Sequence, residues 1–299
     1  WKIKLPYFML KFGKEIIKDR KVDIIGFHGQ TIYHSPQEKI SKQLGNGKLL
    51  SQLLKKKVVY NFRQNDIKNG GEGAPLSPIF HKLIAAKLKF NLPTCILNIG
   101  GISNITVIED IDSAKFFSKD IGPGNCLIDN WIRNNSSKRF DQSGDLANKG
   151  TINEIILEQA QELFSNRPNS HYSLDTNDFD VSFARGLSLE DGAATLTNFT
   201  AKIISSSINE SLKNEKQKPI KIIVCGGGRK NLMLIQNINK NLTKNLSIKN
   251  IDDYGINGDF IESQAFAFLA VRCILGLPIS FPSTTGCKSP TTGGETVVF

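Results

Sequence analysis

No apolar run in this sequence reaches the ~18 residues that a membrane-crossing helix needs, so no bilayer-spanning segment is expected. The opening stretch, Trp1 to Leu10, carries too short an apolar run and no small-residue cleavage pattern, which makes it a poor secretory leader. Cysteine is scarce: Cys95, Cys126, Cys225, Cys273 and Cys287 make an odd number, without CxxC spacing and mostly inside apolar runs. That pattern argues against a disulfide framework or a zinc site and for reduced, buried thiols in a cytoplasmic protein. A basic patch is lacking too, although the formal charge is +10, because the lysines are scattered. The one dense run, Lys55-Lys56-Lys57, reads as a solvated helix end ahead of the strand Val58-Val59-Tyr60. No aromatic residues interleave with it, so neither nucleic acid nor a membrane is an expected partner. The chain does not begin with Met, and a fragment, a processed product or a truncated reading frame is expected.

What is present is an α/β pattern. A length of 299 residues favours two domains, and the Asn91-Leu92-Pro93-Thr94 stretch is the expected joint, giving domains over 1–93 and 94–299. In the first, a helix over Leu10 to Arg20 precedes the buried strand Val22 to Phe27. That strand runs into the polar cluster His28-Gly29-Gln30-Thr31, at the end of a strand where open α/β sheets bind ligands. A helix over Lys48 to Lys56, a strand over Val58 to Phe62, the loop Gly70-Gly71-Glu72-Gly73 and a helix over Ile79 to Phe90 follow. Arg63 and the prolines after the glycines mark that loop as shaped for a substrate.

In the second domain, Cys95 to Asn98 and Ile102 to Glu109 read as a hairpin bent at Gly100-Gly101. A third strand near Ala114 to Lys119 ends at Asp120, and Cys126 opens a helix. Helices over Ile152 to Ser165 and Thr195 to Leu212 come next. Then Ile220 to Cys225 runs into Gly226-Gly227-Gly228 ahead of a helix over Leu232 to Asn241, a nucleotide-type turn. An apolar helix over Ile261 to Leu275 carries one carboxylate, Glu262, and the tail is extended and turn-rich. A carboxylate at a strand end beside a glycine hairpin supplies a base and a backbone anion site, the two needs of phosphoryl transfer to a hydroxyl.

Together these segments closely resemble the anhydro-N-acetylmuramic acid kinase family of bacterial cell-wall recycling. The matching stretches are Gly26 to Thr31, Gly70 to Leu76, Leu97 to Asn104, Asp120 to Asn125 with Asp129 and Trp131, Val224 to Gly228, and Glu262 to Ala270. They span nearly the whole chain. The resemblance implies an actin-like, sugar-kinase ATPase (ribonuclease H-like) fold of two α/β domains with a cleft. It implies a reaction with ATP, Mg²⁺ and water, in which the 1,6-anhydro bond opens and O6 receives the γ-phosphate, giving N-acetylmuramic acid 6-phosphate and ADP. By the same resemblance Asp120 is the catalytic base that activates water. Asn98, Gly100 and Gly101 face phosphate, Gly226, Gly227 and Gly228 lie near the adenosine, and His28, Gln30 and Glu262 are on the sugar side. A homodimer is a possible assembly. Two other readings stand beside these: Asp120 as a cap for the helix near Asn125, and Glu262 as a helix-start carboxylate favoured by the macrodipole.

The chain departs from the family at three points. The Gly-Thr-Ser-x-Asp-Gly hairpin that binds ATP phosphates in the family is absent, so the chain is expected to begin after it, with the first domain incomplete and Val22 to Phe27 left as an apolar edge. An inactive remnant that only binds is the alternative this raises. Glu72 stands where the family has glutamine, and Tyr172, beside Ser173 to Asp178, where a lysine is usual.

Overall fold

The computed structural model describes residues 4–166, 174, 176–214 and 219–299. Tyr172, Ser173 and Asp175 of the variant region lie outside the described residues. The chain divides into two compact units, residues 1–84 with 262–299, and residues 85–261.

The first unit opens with α1 (Lys4–Ile17), β1 (Ile24–Gly26), a hairpin of β2 (Gln30–Ser35) and β3 (Ile40–Leu44), α2 (Gly47–Leu54), β4 (Lys57–Tyr60), α3 (Gln64–Lys68) and α4 (Pro78–Lys87). The side chain of Asn46 caps α2 by accepting from the Leu49 N–H, and Lys55 ends it in a left-handed conformation. Of the lysine run, Lys55 is thus the exposed end of the helix, while Lys56 and Lys57 are half-buried and Lys57 already opens β4. β1 lies parallel to β4, with Ile25 opposite Val58. Leu50, Leu54 and Val58 form a small core on which Leu10, Ile17, Ile25, Phe27 and Tyr60 pack. The hairpin had no clear signal in the sequence. Its strands are half-exposed on both faces, so no period-2 apolar pattern marks them.

The second unit contains β5 (Thr94–Ile99), β6 (Ile102–Ile108), β7 (Phe116–Pro123), α5 (Cys126–Asn135), α6 (Asp145–Lys149), α7 (Glu154–Ser165), α8 (Leu189–Ser211), β8 (Ile220–Cys225), α9 (Leu232–Asn241) and β9 (Leu246–Asn250). The sheet runs β7-β6-β5-β8-β9. Its first three strands form an antiparallel meander, and β8 and β9 then add parallel to β5. This is the strand order of the expected ribonuclease H-like fold. Alternate residues Cys95, Leu97, Ile99, Ile105, Val107, Ile222 and Val224 point into one large core with α5 and α8. Their neighbours Asn98, Asn104 and Cys225 consequently lie on the opposite face.

The segment after the second unit corrects the expected boundary. It comprises α10 (Ile261–Ile274), α11 (Pro282–Thr285) and β10 (Glu295–Val297), and it returns to the first unit rather than completing the second. β10 pairs antiparallel with β4, Thr296 opposite Val59, and so makes the sheet β1-β4-β10 with β1 at its edge. Phe266 of α10 stacks on His28 with ring centroids 4.2 Å apart. Thr285 donates its hydroxyl to the fully buried Asp66 at 2.7 Å. Asp66 also accepts from the Gly73 N–H at 2.7 Å, so one carboxylate holds both the glycine loop and the returning segment. Thr285→Val leaves a buried carboxylate oxygen short of a donor and is expected to destabilise by about 1–3 kcal/mol. Denaturant unfolding measures this, and an unchanged midpoint would remove Asp66 as the tie.

Candidate functional site

Three glycine turns meet at the carboxyl ends of β5 and β8. The β5–β6 turn holds Gly100 and Gly101, and the β7–α5 turn holds Gly124 and Asn125. The Gly100 carbonyl accepts from the Asn125 N–H at 2.8 Å and from its side-chain Nδ2 at 3.1 Å. The Gly101 carbonyl accepts from the Gly124 N–H at 2.8 Å and the Cys126 N–H at 3.2 Å. A β-carbon on Gly124 would sit 2.3 Å from the Gly100 carbonyl oxygen, so only glycine permits this approach. The third turn starts at Gly226, whose φ of +79° and 2.5 Å clearance to the Ile99 carbonyl oxygen likewise admit no side chain. Gly227 and Gly228 then enter a 3₁₀ turn over Gly227–Lys230, and Asn231 caps α9 by accepting from the Leu234 N–H at 3.0 Å. A β-carbon on Gly227 would meet nothing nearer than Asn125 Nδ2 at 3.8 Å, so this turn has space in front of it.

The expected cradle of Gly100 and Gly101 N–H groups needs correction at Gly100. The Gly100 N–H is spent inside its own turn, donating to the Ile102 carbonyl at 3.1 Å. Gly101 is exposed, and a β-carbon there would lie 3.2 Å from the Thr176 methyl. The carbonyls of both glycines hold the β7–α5 turn in place.

Asp120 lies inside β7 rather than at its end, three residues before Pro123. It was expected to end the strand. A β-bulge explains the difference: Ser103 pairs Gly122 while the next residue, Asn104, pairs Asp120, which leaves Ile121 as the extra residue. Ile121 turns into the core, and Asp120 stays on the opposite face. Asn98 pairs Asn104 in the neighbouring ladder, and Cys225 pairs Asn98. Cys225, Asn98, Asn104 and Asp120 thus form one polar row across four strands. The Asp120 carboxylate accepts from the Leu174 N–H at 2.8 Å. It does not cap α5: the N-cap is Asn125, which makes no side-chain capping bond. Asp129 sits in the first turn of α5, where burial pushes its carboxyl up to about 6 against the opposing pull of Arg133, 4.0 Å away.

Arg229 was not foreseen as a site residue. Its buried guanidinium donates to both Asp252 oxygens (2.8 and 3.3 Å), to Asp259 at 2.8 Å and to the Gly226 carbonyl at 3.0 Å. These partners hold the glycine turn from behind. The carboxylates lie 23 and 30 residues further along the chain, too far for local spacing to reveal.

In the first unit, His28 Nε2 accepts from Arg63 Nε at 3.0 Å, and Nδ1 lies 2.9 Å from the Gly29 carbonyl. The proton is therefore assigned to Nδ1. Arg63 also donates to the Gly73 carbonyl at 2.7 Å, which joins His28 to the glycine loop. Both ring nitrogens of His28 are thus occupied within the protein. Glu262 is exposed in the first turn of α10, one turn before the Phe266 that stacks on His28. Gln30 is exposed at the start of β2.

A family model described as Anhydro-N-acetylmuramic acid kinase matches residues 10–298. The chain belongs to the anhydro-N-acetylmuramic acid kinase family. Among its relatives is the protein of that name from Pelagibacter ubique (strain HTCC1062), 54% identical over 297 residues, 98% of this chain and 79% of the relative. That from Zymomonas mobilis subsp. mobilis (strain ATCC 31821 / ZM4 / CP4) is 41% identical over 284 residues, 94% of this chain and 75% of the relative. Two solved structures that it resembles are far more distant. The ethanolamine utilization protein EutJ from Carboxydothermus hydrogenoformans is 12% identical with a TM-score of 0.41, over 89% of this chain and 75% of that one. The activator of the 2-hydroxyisocaproyl-CoA dehydratase from Clostridium difficile is 13% identical with a TM-score of 0.35, over 60% of each chain. Those two likenesses are too slight to bear on the site.

In this family member, burial lowers His28 from 6.5 to about 4, helped by the Arg63 charge, and lowers the fully buried His81 to about 4 as well. Both rings stay neutral in the folded chain while the unfolded chain takes up protons near pH 6.5. Stability therefore falls as pH drops from about 6.5 to about 4 and levels off below. His28→Gln is expected to flatten part of that slope. Equilibrium unfolding across the same pH range checks this, and an unaltered slope would show that His28 is not held neutral.

Proposed function

We propose that this chain uses ATP to phosphorylate O6 of 1,6-anhydro-N-acetylmuramic acid as water opens the anhydro bond. The products are N-acetylmuramic acid 6-phosphate and ADP, a step in salvage of a cell-wall amino sugar. The observation that carries the reading is the half-buried Asp120, set by the bulge in β7 on the sheet face that also carries Asn98, with the three glycine turns at the carboxyl ends of the strands. The relatives' printed name supplies the substrate.

An anhydro sugar has no free 6-hydroxyl, so the acceptor oxygen must be released during the reaction. Asp120 takes one proton from a water as its oxygen bonds to C1. The C1–O6 bond breaks, and O6 keeps the electron pair and bonds to the γ-phosphorus. The bond from that phosphorus to the β–γ bridging oxygen breaks, and ADP leaves. Gly226, Gly227 and Gly228 give the nucleotide close approach to backbone, and Asn98 offers a carboxamide beside them. Gly100 and Gly101 keep the turn opposite free of side chains. The sugar is assigned to the surface around Arg63, Gly73 and Gln30, with His28 as a platform and Glu262 one helical turn away.

Among the described residues no group of three or more His, Cys, Asp or Glu gathers as a metal cage. A lone carboxylate beside a phosphate site suits Mg²⁺, which keeps several waters and takes most other ligands from phosphate oxygens. Asp120 is the residue that would hold it through that hydration shell, where its charge would offset that of the phosphates.

Asp120→Asn keeps the shape and removes the base. It is expected to lower kcat by about 10²–10⁴ and, through the charge lost beside the Mg²⁺ hydration shell, to weaken ATP binding by a smaller factor. ADP release with the anhydro sugar, together with ATP titration by calorimetry, measures the two separately. An Asp120→Asn chain that turns over at the unaltered rate would refute the assignment of the base.

A further inference from the structure

One end of the first unit gathers charge that the sequence scatters. β1 and β4 run parallel, with Ile24 opposite Lys57, so both strands start at the same edge of the sheet. The segments that lead from α1 into β1 and from α2 into β4 therefore meet there. The first carries Lys18, Arg20 and Lys21, and the second carries Lys55, Lys56 and the opening β4 residue, Lys57. Against these six cations stand Asp19 and Asp23, so residues 18–23 and 55–57 hold a net charge of +4, compared with +6 for the other 290 residues of the chain. Lys14 and Glu15, the next charges back along α1, cancel. Among the described residues none of the six cations forms an ion pair, and Lys18, Arg20, Lys21 and Lys55 are exposed. The macrodipole favours a cation at the end of each helix but does not account for Lys21, Lys56 or Lys57 beyond it. Apolar side chains join them. β10 runs antiparallel to β4, with Val297 opposite Val58, and so leaves the sheet at this edge, while its carboxylate Glu295 lies opposite Tyr60 at the far end. Val298 and Phe299 follow, 66% and 60% exposed, and Lys55 Nζ sits 5.9 Å from the centre of the Phe299 ring.

We propose that this edge docks the chain on an anionic lipid surface, with the cations among the headgroups and Val298 and Phe299 in the interfacial layer. Each Lys or Arg near such a surface adds attraction without needing a shaped pocket. The exposed apolar residues decide between polyanions. A nucleic acid backbone would meet the charges and leave the aliphatic Val298 in water, whereas the headgroup layer takes up both kinds of side chain. Lysine suits that boundary, because its stem lies along apolar surface while the ammonium stays with the phosphates. The sequence hid the surface: its two charged segments are more than 30 residues apart, and its apolar residues come from the far end of the chain. The edge lies at the amino ends of β1 and β4. Their carboxyl ends run on into His28 and Arg63, so docking by this edge leaves those two residues pointing away from the bilayer. The inference does not depend on which reaction the chain performs.

The test is co-flotation of the full chain with phosphatidylcholine vesicles that contain or lack phosphatidylglycerol. Binding is expected only to the vesicles with phosphatidylglycerol. It is expected to fade between about 0.1 M and about 1 M salt, as the screening length falls from about 10 Å to about 3 Å. A triple variant, Lys18→Glu with Lys21→Glu and Lys55→Glu, is expected to lower vesicle affinity at least about tenfold. Its melting temperature is expected to stay unchanged, because the three side chains are exposed and make no ion pair among the described residues. Phe299→Ser is expected to weaken binding about threefold or more while the salt dependence persists, which separates the apolar contribution from the charge. No binding to phosphatidylglycerol vesicles at low salt, equal binding to both vesicle types, or wild-type affinity in the triple variant overturns the inference. So does an oligonucleotide that strips the chain from the vesicles and binds Phe299→Ser as tightly as the wild type, because that pattern assigns the edge to nucleic acid. If the triple variant fails to fold, Lys55→Gln and the salt series on the wild-type chain decide the question in its place.

Discussion

Two carbonyls, those of Gly100 and Gly101, hold the second unit's site together. Between them they accept four hydrogen bonds from Gly124, Asn125 and Cys126. Each such bond contributes about 0.5–1.5 kcal/mol net, but leaving a carbonyl buried and unmatched costs more. The tie therefore decides where β7 ends and α5 begins. It requires that Gly124 have no β-carbon, and it brings the Asn125 carboxamide to the edge of the third turn, 3.2 Å from where a β-carbon on Gly228 would stand. Asp120, four residues before Gly124, takes its position from the same constraint through the bulge at Ile121.

Much of the second unit was legible from sequence because its central strands are buried on both faces. Runs such as Thr94–Ile99 and Ile220–Cys225 are dense in Ile, Leu and Val and stop at glycines, a signal that is both local and strong. What failed was long-range. Glu295–Val297 is too short and too polar to announce a strand, yet it completes the β4 sheet from more than 230 residues away, and Tyr60 reinforces it by donating to Glu295 at 2.9 Å. The domain boundary moved for that reason. The bulge was equally hidden: an extra residue in one strand shows only against its partner, so Asp120 looked terminal when it is internal.

The glycine motifs also misled in one respect. A glycine hairpin beside a carboxylate suggested a nest of N–H groups aimed at phosphate. The Gly100 N–H instead closes its own turn, and the amides at the start of α5 bond to the hairpin's carbonyls. The glycines here are needed for close packing between turns, a demand that yields the same sequence pattern as an anion nest. Composition alone cannot separate the two, because both need residues without side chains at consecutive positions.

The charge around the Gly226–Gly228 turn follows the same logic. Arg229 follows directly on the three glycines and would be the natural phosphate ligand. Its Nε, Nη1 and Nη2 all donate to Asp252, Asp259 or the Gly226 carbonyl, and its side chain is 2% exposed. Lys230 donates to Asp259 at 2.6 Å, so two cations face two carboxylates and the cluster is locally neutral. Freeing Arg229 for a phosphate would strip the guanidinium from two carboxylates and the turn carbonyl at once, a loss larger than one phosphate contact returns. The residue is thus a pin for the turn. Among the described residues of this turn, Arg229 is thereby committed to protein partners, and the charge it carries is balanced before any ligand is considered.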